Sequence, residues 1–449
     1  MGLFDRNKKN IEEICIGSKS LHEATKIVQD TVTDQEVWGE EKAKENKQIL
    51  EDAQAGIPVA VKKAELLIRE TLEKLKVQVP DMTLEQAAYE IYKYAWGLDA
   101  IEDLYRNPTV DEIRVNGPEH VFIQRKGKNE RTVVKFKGGE ERIRKIVSRI
   151  IMHDRGIALT SSTPELESVR KDGSRLTATC PPASRKWTFV LRKHGTFQMN
   201  PENLIKTGTL DERILKLLIL LVKGRANILI SGNTGSGKTS LLRFLRGYSD
   251  PLMRIVTLES DAELRLSDYY PARDIVEFEE HADIGLSMNK LFRLVLRYSP
   301  DIIDTGEIRG KGEAIEAIKS CTRGHDGSAS TIHFSNPHEA IEGCGKMMLE
   351  EGLNLPLSVA MTWVASAFNI VIQMFSDSRR GIKKITHITE VWPEGEKIHS
   401  RDLIVWQPES DDYFAGKWVW LNNPSENLIK KMRRFGVTSA DLREAGVVL

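Results

Sequence analysis

Residues 232–239 read Gly-Asn-Thr-Gly-Ser-Gly-Lys-Thr and follow the apolar run Ala226-Asn227-Ile228-Leu229-Ile230. This is the order strand, glycine-rich loop, helix start, in the spacing of a phosphate-binding loop. In such a loop the backbone N–H groups of Gly232, Asn233, Thr234, Gly235, Ser236 and Gly237 point inward and cradle phosphate oxygens. Lys238 reaches the β/γ-phosphates, and the Thr239 hydroxyl sits on a magnesium ion. Ser240 continues into Leu241-Leu242-Arg243-Phe244-Leu245-Arg246, with apolar side chains at helical spacing. A chance glycine turn does not carry the whole pattern in this setting. The loop predicts binding of a nucleoside triphosphate with Mg2+.

Three further residues could act on that nucleotide. Arg254-Ile255-Val256-Thr257-Leu258-Glu259 and Asp301-Ile302-Ile303-Asp304-Thr305-Gly306-Glu307 read as strands that end in an acid, and Ala329-Ser330-Thr331-Ile332-His333 as one that ends in histidine. Ligands of parallel α/β sheets collect at the carboxyl ends of strands. Triphosphate hydrolysis needs an acid to order magnesium and a polar group to position water. Singly, each residue fits a strand-terminal salt bridge or a satisfied histidine. Together and in this order, Glu259, Glu307 and His333 form a catalytic set, with Thr239 and Glu307 as the metal side.

The elements around these residues alternate strand and helix, which predicts a doubly wound α/β domain of RecA type over residues 205–449. Thr209-Leu210-Asp211-Glu212 reads as a capping box before its first helix, and Ser287 as the cap of a helix to Tyr298. Before it, residues 81–200 read as a smaller α+β domain. A helix is expected over Leu84–Tyr94 and another over Glu140–Met152. Strands are expected over 112–117, 120–123, 174–179 and 187–192. A linker is placed from Gly195 to Gly208. Residues 1–80 read as a charged helical extension, with Glu40–Lys47 solvated and Val61–Leu75 amphipathic. The basic run Lys430-Lys431-Met432-Arg433-Arg434 reads as a solvated face.

Composition narrows the classes. Lys plus Arg and Asp plus Glu are 65 each, so net charge does not point to nucleic acid. Cys15, Cys180, Cys321 and Cys344 form no C-x-x-C pair, which supports neither a disulfide framework nor a zinc site. Met1–Arg6 has no signal-peptide core, and Ile214–Val222, broken by Lys216, is too short to span a bilayer. A cytoplasmic protein is expected.

Four segments make the chain resemble the ATPases of the type II/type IV secretion superfamily. Gly232–Thr239 matches the family's Walker A loop, and Arg254–Leu264 its aspartate box. Leu296–Gly310 matches its Walker B segment, and Gly324–His333 its histidine box. The resemblance covers roughly residues 85–400. It includes Asp172-Gly173-Ser174-Arg175 and Leu191-Arg192-Lys193, which are similar to the family's N-terminal domain, and Ile385–Val391, similar to the strand closing its ATPase domain. The tight-adherence pilus branch is the most similar; the four-cysteine zinc insert of the type II branch is missing. The tryptophan-rich tail and the first eighty residues fall outside the match.

The resemblance implies a ring, a hexamer, that hydrolyses ATP with Mg2+ at the inner face of the cell membrane. It implies an inner-membrane platform of a pilus or secretion system as partner, with no nucleic acid. In that reading Glu307 holds the water shell of the metal and Glu259 orients the attacking water. His333, Arg175 and Arg192 report the γ-phosphate across the interdomain cleft. The sequence departs from the family pattern at three places. Glu259-Ser260 stands where Glu-Asp is usual, Asp304-Thr305 interrupts a usually apolar strand, and Gly343 replaces an arginine. Two other classes remain, a nucleic-acid translocase of a conjugation system and a non-hydrolysing nucleotide switch.

Overall fold

The computed structural model describes residues 17–152, 158–193, 199–310, 312–395 and 397–447. The chain divides at residue 197 into two compact units. The linker expected over 195–208 lies partly outside the described residues, and its second half is a short helix, Pro201–Lys206.

In the first unit, the helices α1 (Leu21–Thr31), α2 (Glu40–Gln54), α3 (Pro58–Lys74) and α4 (Leu84–Ala95) share one core. Ala24, Val28, Leu67, Ile68 and Leu72 meet Ala87, Ile91 and Tyr92 there. A boundary at residue 80 would therefore run through a packed core. The charged faces hid this: α2 buries only Ala43, Asn46, Leu50 and Ala53, too few apolar residues to stand out among its lysines and glutamates. An antiparallel sheet follows, built from β1 (Val110–Asn116), β2 (Val121–Arg125), β3 (Lys128–Arg131), β4 (Glu165–Val169), β5 (Arg175–Thr179) and β6 (Thr188–Arg192). Its order is β3-β2-β1-β6-β5-β4. The helix α5 (Gly139–Ile150) places Ile143, Ile146, Val147 and Ile150 in the core of this sheet, the face its spacing predicts. Helices and sheet are tied together, as Arg106 pairs with Glu65 at 2.5 Å and Lys171 N–H donates to the Ala55 carbonyl at 3.1 Å.

The second unit opens with α6 (Glu212–Lys223). Its cap is Asp211, whose side chain accepts from Ile214 N–H at 2.7 Å; the Thr209 hydroxyl instead meets that of Thr207. The expected capping box is two residues early because Asp and Thr are both competent caps. Then come β7 (Ile228–Gly232), α7 (Lys238–Arg246), β8 (Ile255–Glu259), β9 (Ile275–Glu279), α8 (Met288–Val295) and β10 (Ile302–Ile308). After these follow α9 (Glu313–Thr322), β11 (Ala329–Ile332), α10 (Pro337–Glu350), α11 (Leu357–Ala367) and β12 (Ile370–Asp377). The sheet ends with β13 (Ile382–Glu394), β14 (Lys397–Pro408) and β15 (Gly416–Trp420), before the helix α12 (Glu426–Arg434). The strand order is β9-β8-β10-β11-β7-β12-β13-β14-β15, parallel from β9 to β12 and antiparallel beyond. This is the expected RecA-like core, with β11 between the loop-bearing β7 and the acid-bearing β10. Both faces of β7 are buried, as in a covered parallel sheet.

The tail is an integral edge of that sheet. The Lys384 ammonium lies 3.5 and 4.4 Å from the ring centroids of Trp406 and Trp418, cation–π contacts to a pair of rings that meet edge to face at 4.8 Å. The basic helix α12 is only partly a solvated face. Lys431 pairs with Asp326 at 2.7 Å, and Met432 packs where a side chain on Gly224 would collide with it.

Asp304, out of place in an apolar strand, is fully buried and bound by Arg246 at the end of α7. Arg246 Nε reaches its Oδ2 at 2.5 Å, another guanidinium nitrogen reaches Oδ1, and Ala329 N–H donates to Oδ1 at 2.9 Å. The same guanidinium donates to the Gly327 carbonyl at 2.9 Å. One ion pair thus pins the helix that starts at Lys238 to the strand that ends at Glu307. Breaking such a pair from one side strands a buried charge. Asp304→Val alone is expected to cost about 3–5 kcal/mol, whereas Arg246→Leu with Asp304→Val restores an apolar contact and should recover most of it. Urea midpoints followed by tryptophan fluorescence would check this, and equal loss in both variants would contradict it.

Candidate nucleotide site

The loop between β7 and α7 turns on Gly235 at φ 76° and Gly237 at φ 94°, a left-handed backbone that favours glycine. Gly237 also caps α7, so the free N–H groups of that helix open onto the loop. Asn233 fixes the other side: its amide donates to the Ser376 carbonyl and accepts from Ser376 N–H, both at 2.9 Å. Lys238 is buried, and its Nζ donates to the carbonyls of Gly232 and Asn233 at 3.1 and 3.3 Å. Nearby, the buried Ser236 hydroxyl has no protein partner.

From Lys238 a chain of charged groups runs through all four motifs. Its Nζ is 3.2 Å from both ring nitrogens of His333. His333 Nε2 lies 2.5 Å from Glu307 Oε1, and Arg309 Nε donates to Glu307 Oε2 at 2.7 Å. Burial alone would raise the Glu307 carboxyl. The hydrogen bonds and charges of His333 and Arg309 overcome this and hold it at about 2. The other end of Arg309 pairs with Asp261 and comes within 3.7 Å of Glu263. Glu263 Oε2 then accepts from the Thr239 hydroxyl at 3.3 Å, one residue from Lys238. The circuit closes on itself.

Glu259 stands outside the circuit. Its carboxyl is turned inward against Gly306, where a Cβ would lie 2.3 Å from Oε1. It accepts from the backbone N–H groups of Glu263 and Leu264 at 3.1 and 3.0 Å. Burial pushes it up to about 8, against the lowering effect of those two donors. The strand-end rule pointed to Glu259 and missed Glu263, four residues on, because the chain turns back between them. The signal available was the Glu-x-x-x-Glu spacing just after a strand.

The other departures have partners too. Ser260 donates to Glu313 Oε1 at 2.6 Å, and Glu313 is buried; an aspartate at position 260 would set two carboxylates face to face. The Phe334 ring lies directly over Gly343, where a Cβ would be 1.8 Å from Cζ. An arginine at 343 and a phenylalanine at 334 exclude each other here.

Among the described residues, no group of three or more His, Cys, Asp or Glu is set to hold a metal. The oxygens near Thr239 nevertheless suit magnesium, which keeps several waters and binds through one or two carboxylates plus phosphates. The buried lysine, the unpartnered Ser236 hydroxyl and the open end of α7 suit a triphosphate. In the first unit, Arg175 and Arg192 stand directly opposite each other on β5 and β6. Like charges in that register repel. Asp172 and Ser174 are bound by Tyr105 and shape the preceding turn.

Comparison with known proteins gives a consistent result. Residues 95–395 match the family model described as type II/IV secretion system protein. A putative conjugal transfer protein of Mycobacterium tuberculosis is 26% identical over 333 residues, 71% of this chain and 92% of that one. The type IV secretion system protein PtlH of Bordetella pertussis is 32% identical over 208 residues, 44% of this chain and 58% of that one. Among solved structures, the VirB11 ATPase of Brucella suis, in complex with sulphate, is 22% identical. It covers 67% of this chain and 96% of its own, with a TM-score of 0.35. With the family model matched over most of its length, the chain belongs to the type II/type IV secretion system protein family.

Proposed function

We propose that this chain is an ATP-hydrolysing motor that assembles into a ring, a hexamer, and drives pilus assembly or secretion. It would work at the cytoplasmic face of the cell membrane against a membrane-embedded platform. The tight-adherence branch rests on the sequence resemblance alone. No helix among the described residues is long and apolar enough to cross a membrane. The observation that carries the reading is the closed circuit Lys238–His333–Glu307–Arg309–Glu263–Thr239 around a phosphate-binding loop.

In this reading the residues divide the work. The N–H groups of Gly235 to Thr239 bind phosphate oxygens, and Lys238 leaves the loop carbonyls to meet the β/γ-phosphates. Thr239 and Glu307 hold the magnesium, which neutralises charge on the leaving phosphates. Glu263, whose Oε2 takes the Thr239 hydroxyl, positions the attacking water; buried Glu259 instead shapes the turn that carries it. His333, in contact with both Lys238 and Glu307, senses the γ-phosphate.

Steady-state phosphate release by the purified chain with Mg2+ and ATP tests this. Lys238→Ala, Glu307→Gln and Glu263→Gln are each expected to lower turnover at least 100-fold, consistent with loss of transition-state charge stabilisation. Glu259→Gln should cost less than tenfold. Tight ATP binding without turnover in the wild type would move the chain to the switch class, and strong stimulation by DNA would move it to the translocases.

Glu259 also makes a pH prediction. Its folded value of about 8 lies above the ordinary 4.5. The unfolded chain therefore releases this proton first, and folded stability falls as pH rises through that window. Glu259→Gln removes the titration and keeps an oxygen for the backbone donors. Its melting temperature relative to wild type should be higher at pH 8 than at pH 5; an equal difference at both would show Glu259 to be ionised in the folded chain.

A further inference from the structure

We propose that Arg309 is a positioning residue that occupies the acidic side of the nucleotide site in place of the metal, and that it must let go when a divalent cation binds. The inference rests on the reading of the site as one for a magnesium nucleotide. Arg309 follows the strand of Glu307 by two residues, and its planar fork spans two motifs. Nε holds Glu307 Oε2 at 2.7 Å, one terminal nitrogen holds Asp261, and the other lies 3.7 Å from Glu263 Oε1. Glu263 in turn takes the Thr239 hydroxyl at 3.3 Å. Glu307 and Glu263 are the carboxylates that the water shell of a magnesium ion beside Thr239 would use, and Arg309 lies against both while Asp261 holds its guanidinium.

A guanidinium and a divalent cation compete for these carboxylates, because the two positive charges repel. Binding of the cation is thus coupled to displacement of Arg309, and part of its binding energy is spent on that displacement. The coupling is moderate, since the Arg309 side chain is 36% exposed and its released charge can be taken up by water. A simple structural ion pair would affect stability without touching metal affinity. That difference separates the two accounts.

The test is equilibrium binding of fluorescent mant-ADP to the full chain, by anisotropy, first in EDTA and then across a Mg2+ titration. Arg309→Gln should bind mant-ADP in EDTA within about twofold of wild type. Its Mg2+ concentration for half-maximal tightening should fall about fivefold, which is about 1 kcal/mol. Asp261→Asn, an exposed change that frees one arm of Arg309, should shift it the same way by a smaller factor, and it decides the matter if Arg309→Gln folds poorly. A Mg2+ requirement that is unchanged or raised in these variants overturns the proposal. Failure of the wild type to bind mant-ADP at all overturns the nucleotide reading, and the proposal with it.

Discussion

The contact on which the site depends is the one between Glu259 and Gly306. At the end of β8 a buried carboxyl fills the space that any side chain at 306 would take, and it accepts from two backbone N–H groups of the following turn. Burial favours its neutral form, and the donors favour its charged form. Burial prevails. The turn held this way brings Asp261 and Glu263 back over the phosphate-binding loop and toward Arg309. Without the glycine there is no room for Glu259, and without Glu259 the turn keeps only its outer ties, from Arg243 to the carbonyls of Glu263 and Leu264 and from Ala262 N–H to Glu279. The acids of this segment therefore divide between a buried one that builds the turn and half-buried ones that reach Arg309 and Thr239.

A second constraint ties the halves of the site together. Lys238 and Thr239 begin α7, while Glu307 is the last but one residue of β10, so their separation depends on how helix and strand are registered. An apolar interface tolerates small slides. A buried bidentate ion pair tolerates less, because its two parallel hydrogen bonds weaken steeply when sliding bends them away from linear. Arg246 and Asp304 supply that registry here. The price is the desolvation of two charges, offset by the added donors from Ala329 and the carbonyl of Gly327.

Much of this was legible in the sequence. The phosphate-binding loop, the alternation of strand and helix, and the strands ending in Glu307 and His333 all follow from local pattern, and each is in place. What local pattern missed shares one cause: the partner is distant along the chain. Asp304 looked like a flaw in a strand until Arg246, 58 residues away, accounted for it. Ser260 needed Glu313, and Gly343 needed Phe334. The helices before residue 80 looked solvated because their few buried positions only form a core when four helices meet. Glu263 was passed over because a rule about strand ends cannot see a turn that folds back.

These pairings change how the departures from the family pattern are to be weighed. A lost carboxylate at position 260 would weaken a hydrolase if it left an empty place, but Ser260 is matched to a buried glutamate that would repel an aspartate. An aspartate in the Walker B strand would destabilise the sheet if unpaired, but it is paired. The missing arginine at 343 is replaced by an aromatic ring that follows His333 directly. Each departure thus has a partner within this chain, and none of the three removes Lys238, Thr239, Glu263, Glu307 or His333.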